Sequence, residues 1–128
     1  MEFVPLPDRE KKLRTLVRAL ETPYEFIILD CPPSLGILTI NALSTVDDVF
    51  LPLQPHFLAL HGLSKLLQTI DLVHRRLNDR LRLAGVILCL YDSSTRLAAE
   101  VSADVADYFS GGAERQQPWL NGRLFESR

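Results

Sequence analysis

The order of apolar and polar positions along this chain predicts alternating strands and helices. Short apolar runs bounded by turn residues are typical of buried strands, whereas apolar residues at i, i+3, i+4 and i+7 are typical of amphipathic helices. The pattern predicts strands at residues 26–29, 49–54, 84–90 and 123–126, and helices at residues 8–20, 35–44, 58–77 and 93–109. Helices of this length between strands act as crossover connections, which predicts an α/β fold with a parallel sheet covered on both faces.

The predicted helices differ in how much of their surface faces the core. Residues 35–44 are apolar almost all round, which predicts a short buried helix. In the longest helix, Asp71 and Arg75 are four residues apart and can form an ion pair. Its apolar stripe, which we predict faces the core rather than a partner, consists of Leu63, Leu66, Leu67, Ile70, Val73 and Leu77.

The last predicted helix begins at a serine cap, either Ser93 or Ser94, and ends at Phe109 before two glycines. Its apolar residues are again spaced as in an amphipathic helix. The inner stripe is predicted to consist of Leu97, Val101, Val105 and Tyr108.

Length and composition favour one ordinary domain over residues 1–128. The net charge is −2 and the charges are interspersed, which argues against a basic nucleic-acid-binding surface in this chain. The sequence has no leader pattern and no apolar run long enough to span a bilayer, so it predicts a cytoplasmic protein without a membrane partner. Cys31 and Cys89 lie in or beside apolar runs and are predicted to be reduced core residues.

Polar residues follow three of the predicted strands: Asp30, Gln54 and Asp92. The carboxyl ends of parallel strands share one edge of the sheet, where doubly wound folds bind their ligands. An Asp30 carboxylate at this edge suits a hydrated Mg²⁺ ion, which prefers oxygen ligands. The alternative, which spacing alone leaves open, is that these residues only begin loops.

The amino-acid sequence around Asp30 resembles that of a known protein family. Phe-Ile-Ile-Leu-Asp-Cys-Pro-Pro-Ser-Leu-Gly, residues 26–36, resembles the Walker B and switch II segment of ParA-type ATPases, the deviant Walker A group that includes Soj and MinD. The resemblance covers most of residues 6–109 in the family's order. It continues through Asn41-Ala42-Leu43, Leu51-Pro52-Leu53-Gln54, Leu58-Ala59-Leu60-His61-Gly62-Leu63 and Tyr91-Asp92.

This resemblance implies a three-layer, P-loop NTPase-like (Rossmann-like) parallel sheet and an ATPase that uses ATP and Mg²⁺. It implies that Asp30 supports Mg²⁺, through a water molecule. It also implies that Cys31, Pro32, Pro33 and Ser34 form the segment that senses the γ-phosphate and lies near a partner subunit.

The resemblance also implies binding partners for the protein. The family forms an ATP-bound homodimer, is released by a ParB-type activator, and binds non-specific DNA on the nucleoid through a later region. Arg96 follows Tyr91-Asp92 as in relatives with a Tyr-Asp-x-x-Thr run. It is therefore expected to approach the nucleotide or a partner, and a solvated arginine at a helix start is the alternative.

One part of the family pattern is missing. Phosphate binding needs a glycine-rich loop that ends in Gly-Lys-Ser/Thr, and no glycine in this chain precedes a lysine. We therefore expect the central piece of a ParA protein, with a sheet that is incomplete because the P-loop strand is absent. Residues 26–29 would then have an unpaired edge, so we expect the isolated chain to be catalytically inactive and either to dimerise there or to be marginally stable.

Two other functions stay open. The chain is alternatively a non-catalytic, truncated binding module that only associates with a partner. It is alternatively part of a MinD-like positioning ATPase or of a polysaccharide-export tyrosine kinase. A MinD-like ATPase needs an amphipathic membrane helix and the kinase needs a tyrosine cluster, and neither is visible in this sequence. The sequence of residues 30–36 favours chromosome or plasmid partitioning.

Overall fold

The computed structural model describes residues 8–32, 34–54, 57–90, 92, 94–110 and 120–126. Helices and strands alternate from the second helix onward, which confirms the α/β class. A 3₁₀ turn, Arg9–Lys11, leads directly into the first helix. The elements are α1 (Lys12–Arg18), α2 (Ile37–Thr45), β1 (Asp48–Leu53), α3 (Phe57–Arg76), β2 (Arg82–Leu88), α4 (Arg96–Ser110) and β3 (Leu120–Glu126).

The three strands form one parallel sheet in the order β1-β2-β3. Leu53 of β1 lies opposite Leu88 of β2, and Leu88 lies opposite Glu126 of β3. Helix α3 connects β1 to β2 and α4 connects β2 to β3, as parallel neighbours require. The predicted parallel sheet is therefore confirmed.

The core lies where α3 and α4 cover the sheet. Ile70 of α3 and both Leu83 and Leu88 of β2 are 0% exposed. The α3 stripe faces the core as predicted, because its apolar side chains recur on one helical face, although Leu66 and Leu77 are only half-buried. The same buried cluster contains Leu43, Leu51, Leu63, Leu67, Val73, Leu81, Val86, Val101 and Val105.

The end of α3 fastens α2 to this core. The backbone N–H groups of Leu77 and Asn78 both donate to the carbonyl of Val73, at 2.8 and 2.9 Å. The buried Asn78 side chain then donates from Nδ2 to the carbonyls of Leu43 (3.0 Å) and Val46 (2.7 Å). On the outer side of α3, Arg75 Nη2 lies 2.9 Å from Asp71 Oδ2, which confirms the predicted pair.

The first predicted strand is not formed. Residues 26–29 belong to no strand, and the side chains of Phe26 and Ile28 are 79% and 90% exposed. A strand needs a neighbour for its backbone hydrogen bonds, and the described strands pair with one another and not with this segment. The prediction of a doubly buried strand is therefore wrong here, because an apolar run is buried only where a neighbouring strand and covering helices exist.

Two helices also differ from the predictions. Helix α2 is buried or half-buried all round over residues 39–45, as predicted, but its first two residues, Ile37 and Leu38, are exposed. The burial follows from its position between α3 on one side and the 3₁₀ turn and α1 on another.

Helix α4 begins with a threonine cap rather than the predicted serine. Thr95 Oγ1 accepts a hydrogen bond from the backbone N–H of Ala98, at 3.3 Å. In this helix Ala98 is buried together with Val101 and Val105 and Leu97 is exposed, so Leu97 was wrongly placed in the inner stripe. Val101 and Val105 are buried as predicted. The Ser93 alternative and the side chain of Tyr108 lie outside the described residues.

Both cysteines are free thiols, as predicted. Cys31 is exposed and Cys89 is half-buried, so the prediction that they are core residues is wrong for Cys31. Its position beside the unpaired segment 26–29 explains this, since that segment is not covered. Within the described residues, no helix has both the length and the apolar character that crossing a membrane requires.

Candidate nucleotide and magnesium site

The carboxyl ends of β1 and β2 lie at the same edge of the sheet. The backbone N–H of Cys89, just after β2, donates to the carbonyl of Leu53 at 2.9 Å, which holds the two ends together. Gln54 follows β1 directly and Asp92 follows β2 four residues later, and both are exposed. In a parallel sheet this edge is the one at which ligands bind.

Asp92 orders the turn that leads into α4. Its carboxylate accepts hydrogen bonds from the side-chain hydroxyl of Ser94 (2.6 Å) and from the Ser94 backbone N–H (2.9 Å). These two bonds favour the charged form, in that order of strength, and hold the pKa of Asp92 below its ordinary value of 3.8. The Asp92 carbonyl accepts from the backbone N–H and the hydroxyl of Thr95. Asp92 therefore has a local structural role at this edge of the sheet.

Asp30 is exposed and follows residues 26–29, which are not a strand. The described residues contain no group of three or more His, Cys, Asp or Glu side chains that could hold a metal ion. Mg²⁺ is commonly held by one or two carboxylates together with waters and substrate phosphates. An exposed carboxylate such as that of Asp30 fits this kind of contact, provided that phosphate groups supply other ligands.

The segment after Asp30 leads into α2. Cys31 and Pro32 are exposed, and Pro33 lies outside the described residues. The carbonyl of Ser34 accepts a hydrogen bond from the hydroxyl of Thr39 in α2. The end of this candidate switch segment is therefore held by a side chain from the helix that follows it.

Arg96 lies at the start of α4 and its side chain is 93% exposed. Its Nε lies 2.8 Å from Oε1 of Glu100, one helical turn later. An exposed pair of this kind contributes little to stability. The structure thus places Arg96 as a solvated arginine at a helix start, and its approach to a nucleotide or a partner stays a prediction.

Asn41 is a structural residue whose role the sequence analysis did not identify. It is buried in α2, and its Oδ1 accepts a hydrogen bond from the backbone N–H of Leu13 in α1, at 3.2 Å. Its Nδ2 donates to the carbonyls of Arg9 (2.8 Å) and Ile37 (3.0 Å). The signal available in the sequence was a lone amide within an almost entirely apolar helix.

A charged surface cleft lies at the opposite, amino-terminal edge of the sheet. Arg80 pairs with Asp47 at 3.3 Å and Arg82 with Asp48 at 3.0 Å. The cleft is lined by Asp47, Asp48, His74, Asp79, Arg80 and Arg82. Because it lies at the amino ends of β1 and β2, it is separate from the edge that carries Gln54.

Comparison with known proteins identifies the family. The family model described as "AAA domain" matches residues 1–83. The chain is 47% identical over 109 residues to the chromosome partitioning protein ParA of Myxococcus xanthus, covering 85% of this chain and 38% of that protein. It is 46% identical over 127 residues to the sporulation initiation inhibitor protein Soj of Bacillus subtilis, covering 99% of this chain and 50% of that protein.

The chain belongs to the ParA/Soj family of AAA domains. It spans between 38% and 50% of the length of these relatives. The fold agrees with this assignment. A crystal structure of cobyrinic acid a,c-diamide synthase from Mycobacterium smegmatis, with a bound ATP analog and magnesium, matches with a TM-score of 0.73 at 42% identity. The match covers 79% of this chain and 40% of the synthase.

Membership of the ParA/Soj family agrees with a P-loop NTPase-type fold. A second structure of the same synthase, which contains ADP and magnesium, also matches this chain, with a TM-score of 0.73 at 42% identity.

Proposed function

We propose that this chain is the magnesium-side portion of a ParA-type ATPase that partitions chromosomes or plasmids. The observation that carries the proposal is the 46% identity to Soj over 127 residues, which is nearly the entire chain. Asp30 would support Mg²⁺ through a water molecule, and residues 31–34 would respond to the γ-phosphate. The reaction is phosphoryl transfer to water, which depends on positioning and on stabilisation of charge.

The chain supplies only part of the chemistry that this reaction needs. The phosphates of ATP are normally cradled by the backbone amides of a glycine-rich loop and by its lysine, and this sequence contains no Gly-Lys pair. Asp30 supplies a negatively charged carboxylate, which cannot itself neutralise the charge of the phosphates. We therefore propose that activity belongs to a longer protein in which this chain is joined to such a loop.

The proposal extends to partners and location. In the longer protein, ATP and Mg²⁺ would favour a homodimer in which residues 32–34 of each subunit face the other subunit. A ParB-type activator would stimulate hydrolysis, and non-specific DNA would hold the dimer on the nucleoid in the cytoplasm. These partners are argued from the family to which the chain belongs.

A chimera of Bacillus subtilis Soj tests this function. The 127 residues of this chain that match Soj replace their counterparts, so that Soj contributes the rest of its own sequence. We expect magnesium-dependent ATP hydrolysis in the chimera and at least a roughly hundredfold loss in Asp30→Ala, comparable to the loss of one charge-stabilising group. Asp104→Asn, on the exposed surface of α4, is the matched control and should leave hydrolysis unchanged.

Two results would contradict the proposal. A folded chimera that hydrolyses ATP equally well with Asp30→Ala would remove the assigned role of this carboxylate. Submillimolar binding of a fluorescent ATP analogue by the isolated chain, with Mg²⁺ present, would show that the missing loop is not needed for binding.

A further inference from the structure

The first turn of α2 is tied to the segment that precedes it. Thr39 lies in this turn, and its hydroxyl donates to the carbonyl of Ser34, five residues earlier. The backbone N–H of Ile40 donates to the carbonyl of Gly36 at 3.1 Å, which closes the turn itself. A displacement of residues 31–34 would therefore pull directly on the beginning of α2.

The same turn is tied to the amino-terminal helix by Asn41. One amide nitrogen, Nδ2, donates both to Ile37 in the first turn of α2 and to Arg9 in the 3₁₀ turn before α1. The amide oxygen accepts from the backbone N–H of Leu13. These contacts join residues that are 28 and 32 positions apart in the sequence.

Helix α1 has no fully buried side chain with which to anchor itself. Neither the 3₁₀ turn nor α1 contains a buried residue: Leu13 and Val17 are half-buried, and Leu16 is 66% exposed. Hydrophobic burial scales with the area removed from water, so this helix gains little from it. The position of α1 on α2 therefore depends strongly on the hydrogen bonds of Asn41.

We propose that the first turn of α2 couples residues 31–34 to α1, so that a displacement of either one loosens the other. The inference rests on the proposed function, which assigns the response to the γ-phosphate to residues 31–34. A buried amide that loses its partners is costly, so release of α1 and movement of the α2 turn are expected to occur together. Coupling between two sites is reciprocal, and this reciprocity makes the proposal testable without nucleotide.

Amide hydrogen exchange of the whole chain measures the coupling in both directions. Thr39→Val removes the hydroxyl donor, with little change in side-chain volume, and we expect roughly fivefold faster exchange at Leu13 and its neighbours in α1. Thr39→Ser restores a hydroxyl and should return exchange in α1 to the wild-type rate. In the reverse direction, Asn41→Ala, which removes the bonds to Arg9 and Leu13, should accelerate exchange at the amides of Cys31 and Ser34 as well as in α1.

Matched controls separate coupling from loss of global stability. Thr69→Val removes an equivalent hydroxyl-to-carbonyl bond on α3, to Lys65 at 3.0 Å, and should leave α1 unchanged. The amides of Val86 and Leu88 in β2 report global opening. If Asn41→Ala accelerates these as well, the Thr39 variants alone decide the question.

The proposal is overturned if Thr39→Val accelerates exchange only within residues 34–40 and leaves α1 at the wild-type rate. It is also overturned if Thr69→Val accelerates α1 as strongly as Thr39→Val does. Neither result bears on the magnesium role of Asp30, which the chimera tests separately.

Discussion

The amino-terminal part of the described chain, residues 8–36, and the sheet with its covering helices both contain apolar runs, but the burial of these runs is very different. In the sheet region, apolar side chains from α3, β2 and α4 meet in one buried cluster. In the amino-terminal part, Phe26 and Ile28 are exposed, and the Asn41 side chain forms hydrogen bonds to Arg9 and Leu13. The difference shows that an apolar run is buried only where the fold provides a neighbour for its backbone and a layer to cover its side chains.

The largest expected effect comes from truncating matched isoleucines in the two regions. Ile70→Ala leaves a cavity in the core and should lower the free energy of unfolding by about 2–5 kcal/mol. Ile28→Ala removes an exposed side chain and should change it by no more than about 0.5 kcal/mol. Urea denaturation measures both variants. Equal losses would show that residues 26–29 are buried in solution and would remove the contrast.

The next effect concerns the contact that fastens α2 to the sheet region. Asn78→Ala removes both hydrogen bonds that Nδ2 donates, and it leaves the carbonyls of Leu43 and Val46 without these donors. We expect a loss of about 1–3 kcal/mol in the free energy of unfolding. Thr45→Ala, which removes a single bond from a hydroxyl to the carbonyl of Asn41 within α2, is the control and should cost less. A loss for Asn78→Ala no larger than that for Thr45→Ala would contradict this role.

A third prediction tests whether the exposed segment makes the isolated chain self-associate. An uncovered apolar segment favours association with a second copy, so the chain should elute as a dimer in size-exclusion chromatography. Phe26→Asp should weaken the dimer by at least about tenfold, or about 1.4 kcal/mol. Leu72→Asp, at an exposed apolar residue on α3, should leave the elution unchanged. A dilute monomer with cooperative melting would contradict the prediction.

The smallest effect is a pH dependence at the Asp92 turn. Because the pKa of Asp92 is lowered in the folded state, its stabilising contribution is present above its ordinary pKa of 3.8. The contribution is lost as the pH falls from that value through the lowered folded pKa. Ser94→Ala removes the hydroxyl donor and should raise the pKa of Asp92 towards 3.8. NMR titration of the side-chain carboxyl group checks the shift, and an unchanged pKa in Ser94→Ala would show that the hydroxyl bond does not cause it.

Much of the sheet region was predictable because the apolar residues of its helices and strands follow the spacing typical of each element. Strand β1 and helix α3 begin and end within one residue of the predicted limits, since apolar spacing and the Asn78-Asp79 stop are local signals. The start of α4 was harder to predict. Ser93, Ser94 and Thr95 all have hydroxyl groups suited to capping, and only the Asp92 turn makes Thr95 the cap.

The sequence predicted a site at one edge of the sheet, from residues 30–36 and from the polar residues after the strands, and that site stays a prediction. The structure confirms only that the carboxyl ends of β1 and β2 lie at the same edge. The position of Asp30 relative to the sheet was not predictable, because it depends on whether residues 26–29 have a strand beside them. The role of Asn41 was hidden for a similar reason, since its partners Arg9 and Leu13 are distant in sequence.

By itself, the sequence determined the α/β class, the apolar face of α3, and membership of the ParA/Soj family, because these depend on local periods and on residue identities. Tertiary structure decided which apolar segments are buried and which polar side chains join distant segments. Burial and hydrogen bonding need a partner in space, and neighbours along the chain do not reveal that partner.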